Sequence, residues 1–303
     1  MAGHTDAQHS ALGTRIPRVT ARRKGILYVL GAALLWSTGG IGIKAVDEPP
    51  LVVSFYRCLF AAITLLLLLR GRAFTRRWKS TGVFLIAIFS YGLCLITFVL
   101  ATKWTTAANA IFLQYAGAVW VLLLSPLVLH EPIRARDVAA IAAALCGMAL
   151  FFVGRFEGHG MAGNVMALIS SVFFASLIMC LRREQAAGRS AVVWGNVFGA
   201  AAVLPLIGTN LGVTAPSLAV LLFLGIFQIA LAYVLFVRGL KDVPATQASL
   251  TGMLEPVMNP IWVLLFVGER PSVYAIGGGI VVLGAIAWHT LGSEAAVEIP
   301  APD

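Results

Sequence analysis

Residues 82–101 read GVFLIAIFSYGLCLITFVLA, twenty positions without a charge. The run is continuous rather than alternating. At about 1.5 Å per residue, a helix of this length covers the roughly 30 Å hydrocarbon core of a bilayer. A barrel strand would need only about ten residues in strict alternation. In lipid the backbone must satisfy its own hydrogen bonds, so a membrane helix follows. Nine further stretches share this character: 25–43, 51–69, 105–128, 136–153, 161–181, 191–209, 216–237, 245–267 and 272–291. The expectation is an all-α integral membrane protein with ten transmembrane helices.

Composition agrees. The 303 residues are 59% hydrophobic and 12% charged, with a mean hydropathy of +0.90, whereas a soluble domain carries about a quarter charged residues. A water-soluble globular chain, a disordered one and a collagen-like one are excluded. The formal net charge of +9 is held in short clusters between apolar runs, which reads as membrane topology and not as nucleic-acid binding. With the amino terminus cytoplasmic, 17 of the 22 Lys and Arg fall on the cytoplasmic side; Lys44, Lys103, Arg155 and Arg270 fall on the other, and Arg57 lies within a span. That asymmetry predicts a multi-pass plasma-membrane protein of bacterial inner-membrane type with both termini in the cytoplasm. No apolar region with a cleavage site precedes residue 25, so a removable signal peptide is not expected. Cys58, Cys94, Cys146 and Cys180 all lie in apolar runs and read as buried free thiols.

The chain also repeats itself. A shift of 138 residues places Gly25 on Gly163, Trp36 on Phe174, Tyr56 on Trp194, Phe98 on Phe236, Lys103 on Lys241, Ala107 on Ala245, Asn109 on Gln247 and Glu131 on Glu269. One constant offset maps loop onto loop and span onto span. Each copy holds five helices, an odd number, so the second copy lies upside down relative to the first. Two inverted five-helix repeats around a central cavity are an architecture of secondary transporters. The expected division is a basic cytoplasmic tail at 1–24, a first repeat at 25–160, an inverted second repeat at 161–291, and an acidic, disordered cytoplasmic tail at 292–303.

Two stretches carry a family resemblance. One is ATKWTTAANA at 101–110 leading to His130-Glu131-Pro132; the other is Leu254-Glu255-Pro256-Val257 leading to Gly268-Glu269-Arg270-Pro271. With Trp36 in the first helix, the chain over roughly 25–291 resembles the EamA-like proteins of the drug/metabolite transporter superfamily. The resemblance implies export, or in some members uptake, of small organic solutes such as amino acids, amines or drugs by alternating access. The chain departs from the family's pattern at Ala118, where the fourth helix often has a proline and where the repeat aligns Pro256. A helix break is therefore expected mainly in the second half.

Polar groups inside the spans are the candidates for a substrate cavity. Glu255 lies near the middle of 245–267, where an acid costs about 2.5–3.5 kcal/mol on insertion scales. It reads either as a proton- or cation-responsive carboxylate or as a glutamate locking two helices together. Thr251, Glu255 and Asn259 are spaced i, i+4, i+8 and would share one face, and Pro256 and Pro260 would free carbonyls for a solute or ion. Arg57 is open to three readings: an anion site, a partner for Glu255 in ion coupling or charge pairing, or a snorkelling side chain. Asn109 with Gln247, and Ser90 with Gln228, are symmetric polar pairs that suit a cavity lined by both repeats or plain interhelical hydrogen bonds. Gln114 and Ser125 share a face of the fourth span. Mid-span aromatics (Trp36, Tyr91, Phe98, Tyr115 and Trp194 above all) read as cavity walls for apolar or cationic solutes or as packing. The Tyr91/Phe98 and Trp194/Phe198 pairs each share a face.

Glu131-Pro132 and Glu269-Arg270-Pro271 read as helix-start junctions. Gly277–Gly279 and the alanines of 139–144 read as close-packing surfaces. An integral membrane enzyme and a pore-like protein are the alternatives to a carrier. The chain has no HExxH, no GxSxG and no aspartate pair in the spans, so no enzymatic role is expected. No ATP site, metal-ligand cluster or cofactor motif is found either. The expected partners are a small-molecule solute, the lipid bilayer and protons as a coupling ion, with no nucleic acid, in a monomer or weak homodimer.

Overall fold

The computed structural model describes residues 3–69, 78–150, 153, 160–209, 211–267 and 272–298, and every regular element within them is helical. The order is α1 (Gly3–Trp36), α2 (Gly39–Ala45), α3 (Pro50–Leu69), α4 (Thr81–Trp104), α5 (Ala107–Gln114), α6 (Gly117–Leu129) and α7 (Ala135–Leu150). It continues with α8 (Met161–Arg183), α9 (Gly188–Ile207), α10 (Ala215–Phe223), a π-helical segment (Leu224–Leu231), α11 (Ala232–Gly239), α12 (Ala245–Gly252), α13 (Leu254–Val267) and α14 (Val273–Glu298). Among the described residues, eight helices or end-to-end runs are long and apolar enough to cross a bilayer: α1–α2 from Thr20, α3, α4, α5–α6, α8, α9, α10–α11 and α14. The other two of the ten expected spans are α7, which has 16 residues, and the pair α12–α13, interrupted at Met253.

The helix boundaries obey the spacing seen in the sequence. Adding 138 carries α3 (Pro50–Leu69) onto α9 (Gly188–Ile207), α5 (Ala107–Gln114) onto α12 (Ala245–Gly252), and the start of α7 at Ala135 onto the start of α14 at Val273. Packing is reciprocal as well. The first helix of each half lies on the other half: α1 packs on α11 and α12, and α8 packs on α4 and α5, while α3 meets α9 and α7 meets α14. Two glycines mark the closest approach. A Cβ on Gly25 would lie 2.8 Å from Val243 and 3.0 Å from Asp242; one on Gly163 would lie 2.6 Å from the Thr105 nitrogen and 2.7 Å from the Trp104 carbonyl carbon. Positions 243 and 242 are 105 and 104 advanced by the same 138. Contacts exchanged in this way define a two-fold relation. With five spans per half, its axis lies in the membrane plane.

Four expectations need correcting. The break is not confined to the second half: the first half also breaks, between α5 and α6, without a proline. There the ladder tightens to i−3 bonds, Ala116 N–H to Leu113 O at 3.2 Å and Ala118 N–H to Tyr115 O at 3.0 Å, because the Tyr115 side chain is drawn across to the other half. The stripe of Thr251, Glu255 and Asn259 is not one helix face, since Thr251 belongs to α12 and Glu255 lies in the first turn of α13. The carboxyl tail is not irregular from 292, because α14 continues to Glu298 through Ala and Glu, both good helix formers. Cys146 is exposed, unlike the other three thiols, so on α7 it faces outward from the bundle. The expected close packing of α7 on α14 is present: a Cβ on Gly278 would lie 2.4 Å from the Gly147 carbonyl.

A further break falls in the first span, at Ser37–Thr38. Both hydroxyls donate back to carbonyls three residues earlier, Ser37 to Leu34 at 2.6 Å and Thr38 to Leu35 at 2.7 Å, a competition that bends helices.

Candidate functional site

The interruptions converge at half height. The break after Trp36, the break at Tyr115, the break at Met253 and the π-helical segment holding Gln228 all lie mid-span, together with Arg57 in α3 and Tyr91 in α4. All of these side chains are buried. Each interruption releases backbone groups or alters helix width, and π segments concentrate at functional sites for that reason.

Two polar pairs form the layer. In one, Tyr115 Oη lies 2.6 Å from the Gly252 carbonyl and 2.8 Å from Glu255 Oε2. The broken ends of the two pseudo-equivalent helices are thus joined by one tyrosine. The carbonyl freed by the second break is occupied, as the prolines suggested, but by this tyrosine. In the other pair, the guanidinium of Arg57, only 2% exposed, donates to Gln228 Oε1 at 2.7 Å. Arg57 therefore does not snorkel. It forms no ion pair with Glu255, although the two lie within electrostatic reach. Gly39 lets Gln228 approach the backbone after the first break, because a Cβ there would lie 2.6 Å from Gln228 Nε2.

Aromatic rings wall the layer toward the amino-terminal face, the face from which α1 enters. Trp36 contacts Tyr233 (centroids 5.0 Å), Phe236 (4.9 Å) and Phe174 (5.9 Å), and Tyr91 meets Tyr233 edge-on at 4.5 Å. Asn196 donates to the Tyr91 hydroxyl at 3.2 Å. Trp262 Nε1 donates to Ser37 Oγ at 2.7 Å, holding α13 to the first break. Several buried polar atoms have no hydrogen-bond partner in the protein: Trp36 Nε1, Arg57 Nε, Asn196 Oδ1, Thr251 Oγ1 and Asn259 Oδ1.

The remaining expected residues lie elsewhere. Asn109 and Gln247 occupy the third positions of α5 and α12 and so sit near opposite faces. Asn109 donates to Thr105 Oγ1 at 3.2 Å, and Gln247 accepts from Arg22 Nε at 3.2 Å. Gln114 reaches Ser170 at 2.8 Å, whereas Ser125 turns to its own helix at Val121. Ser90 meets Ser176 at 2.9 Å. Phe98 packs in a separate apolar cluster with Val99 and Ile111, which parts it from Tyr91. Trp194 is 37% exposed and with Phe198 lines a lateral apolar groove of about 440 Å³ between α4 and α9. It does not border the polar layer.

Residues not singled out from the sequence complete the site. Phe174 could have been found as the repeat mate of Trp36, and Asn196 as a lone amide in an apolar span. Glu131 is more than a helix start. It lies four residues before α7, pairs with Arg182 at 2.8 Å and accepts the backbone N–H of Ala245, the first residue of α12, at 3.1 Å. Arg182 also donates to the carbonyls of Leu240 and Lys241, at 2.8 and 3.1 Å. These contacts tie the two halves together at the amino-terminal face. Glu269, Arg270 and Pro271 lie outside the described residues.

A polytopic bundle of two inverted repeats, with broken helices meeting at a buried polar layer, is the architecture of a membrane transporter. The model of the EamA-like transporter family matches residues 23–153 and again 161–291, two segments offset by the same 138. The chain belongs to that family. Curated relatives agree. An uncharacterized transporter of Clostridium kluyveri is 25% identical over 87% of this chain and 92% of its own length. The uncharacterized transporter YwfM of Bacillus subtilis is 25% identical over 86% and 92%. The uncharacterized inner membrane transporter YicL of Salmonella typhimurium is 25% identical over 90% and 97%. A protein of known crystal structure shares the fold, with a TM-score of 0.75 and 18% identity over 89% of this chain and 98% of that one.

Proposed function

We propose that the protein is a secondary or facilitative carrier that exports small organic solutes across a bacterial inner membrane by alternating access, and that it performs no enzymatic chemistry. The observation that carries this reading is the joining of the two helix breaks through Tyr115, Gly252 and Glu255. One contact there binds both halves at mid-membrane, so a solute or proton arriving at it acts on both at once. Rocking of the halves about that layer would expose it to each side in turn, and differential binding would shift the populations. Arg57, Tyr115, Glu255, Gln228, Trp36 and Tyr91 are the side chains assigned to the solute. Phe98, Asn109, Trp194 and Gln247 are assigned to packing, rim contacts or the bilayer face, while Gln114, which reaches Cys94, and Thr251 and Asn259, whose buried oxygens have no partner in the protein, are assigned to the edge of the layer. Glu255 is the candidate proton site, faced by Tyr115, Arg57, Cys94 and Tyr233.

The distribution of Lys and Arg puts the amino-terminal face, with both termini, in the cytoplasm. The Glu131–Arg182 tie then closes the cytoplasmic side, and the unit is a monomer or weak homodimer in the bilayer. The test is uptake of labelled amino acids, amines and carboxylates into proteoliposomes. A carrier gives saturable flux that an unlabelled solute competes away; flux linear in concentration and free of competition overturns the reading in favour of a pore.

A further inference from the structure

Resting on the carrier reading, we infer that the polar layer takes a solute with net negative charge, a small organic carboxylate with an apolar body, whose carboxylate Arg57 binds. The geometry around Arg57 is the ground. A guanidinium offers five N–H donors, and this one, almost wholly buried, gives one hydrogen bond, to the neutral amide of Gln228. Its Nε has no partner in the protein. A buried cation is retained where its charge is met, and among the described residues no carboxylate forms an ion pair with it. The planar fork that remains suits the two oxygens of a carboxylate.

Hydrogen-bond counting at Glu255 shows why that acid does not supply the missing charge. A tyrosine hydroxyl has one proton to give. At 2.6 Å from the Gly252 carbonyl, which can only accept, Tyr115 spends its proton there. The 2.8 Å contact between Tyr115 and Glu255 then closes only if the carboxyl group donates. With Glu255 neutral, as this pairing requires, the layer carries the single positive charge of Arg57. An amine or a dipolar solute would bring an ammonium group for which the layer holds no anion. The rings of Tyr233 and Tyr91 lie beside this charge, with Trp36 against Tyr233, and suit an apolar or aromatic body.

The experiment compares melting temperatures of the full-length protein in detergent with acetate, benzoate and 3-phenylpropionate, the neutral amide of each, 3-phenylpropylamine and phenylalanine. A ligand that binds the folded form raises the melting temperature. At least one carboxylate should bind about 10-fold or more tightly than its amide, with no shift from the amine and a weaker one from phenylalanine than from 3-phenylpropionate. Gln228→Glu supplies Arg57 with an internal carboxylate at the position of the present hydrogen bond. It should fold with a melting temperature no lower than the parent's and lose the carboxylate response, whereas Arg57→Lys should weaken the response without abolishing it. Equal binding of acid and amide, no response to any carboxylate, preference for the amine or phenylalanine, or an undiminished response in Gln228→Glu each overturns the inference. Saturable flux of an amine beside any of these results would leave the carrier reading standing and remove only the anion.

Discussion

At the scale of single residues, Glu255 and Tyr115 show what a membrane interior does to polar chemistry. A buried acceptor left unpaired costs about 1–3 kcal/mol, and Gly252, at the end of a broken helix, offers such an acceptor. Tyr115 satisfies it, and the proton on Glu255 completes the chain. The sign of the pH dependence follows. While Glu255 holds its proton, at lower pH, all three groups are satisfied. As pH rises and the proton leaves, the carboxylate competes for the tyrosine's only hydrogen and the Gly252 carbonyl loses its donor. The link between the halves is present at low pH and weakens as pH rises. Glu255→Gln keeps the shape and a permanent N–H donor. It is expected to fold, and to transport with no dependence on pH across the range in which the parent's flux changes. Measured flux in proteoliposomes buffered equally on both sides checks this, and a parent-like pH profile in the variant would remove Glu255 from the mechanism. The sequence made Glu255 conspicuous because an acid in a 23-residue apolar run has few ordinary explanations. It did not reveal Tyr115 as the partner, since the two are 140 positions apart and nothing local to either points to the other. Arg57 was equally visible, but choosing among anion site, ion pair and snorkelling required its surroundings.

At the scale of elements, helix count, length and repeat were legible because the bilayer imposes them: an apolar run of about 20 residues has one solution in lipid. Breaks were less legible. The one in the second half is announced by Pro256, which suits the first turn of α13 because its missing N–H would be unpaired there anyway. The first-half break has no such marker and comes from the cross-half pull on Tyr115, a tertiary cause. Trp194 was misplaced for a related reason. A helix face is readable from spacing, but whether it meets the other half or the lipid is not, and α9 turns this face outward to the groove beside Phe198. The glycine pair tests the reciprocal packing. Alanine in a helix gains up to about 1 kcal/mol over glycine, while overpacking costs typically 1–3 kcal/mol. At Gly163 the added methyl meets backbone atoms at 2.6 and 2.7 Å, which cannot rotate away; at Gly25 the contacts are longer, a Val243 methyl at 2.8 Å, the Asp242 Cβ at 3.0 Å and the Gly239 carbonyl at 3.2 Å. Gly163→Ala is therefore expected to lower the melting temperature in detergent by several degrees, and Gly25→Ala by less. Equal shifts would mean that the α8 contact with the α4–α5 corner is looser than described.

At the scale of the molecule, the proposed carrier mechanism would have the halves exchange roles, with the ties at each face setting which side is closed. On the amino-terminal face Glu131 receives Arg182 and the first amide of α12, and Glu184 accepts the backbone amides of Lys79 and Ser80 at 2.9 and 3.0 Å. On the opposite face Glu48 accepts the Thr214 amide at 3.2 Å and Tyr56 donates to the Leu211 carbonyl at 2.6 Å, while Lys44 and Lys103 reach carbonyls of their own half, and among the described residues no ion pair joins the halves there. Glu131→Gln keeps an oxygen for Ala245 but gives up the ion pair. Exposed pairs contribute about 0–1 kcal/mol, and this one is part-buried, so a loss near 1 kcal/mol is expected, roughly a five-fold shift in population. With Cys94 as the sole remaining thiol, its alkylation by a water-soluble maleimide from the amino-terminal face should quicken by about that factor, and an unchanged rate would show that the tie does not hold the gate. All of this presupposes sidedness. Asp47 follows one crossing and Asp242 follows eight, so an inverted pair of five-helix halves requires them on opposite faces, and both are exposed. In a cysteine-free background, Asp47→Cys should react with an impermeant thiol reagent added to intact cells. Asp242→Cys should react only after permeabilisation if, as the Lys and Arg distribution predicts, the arginine-rich loops are cytoplasmic. Labelling of both from outside would break the parity of crossings on which the two-fold axis depends, and a carrier built on exchange between the halves could not survive that result.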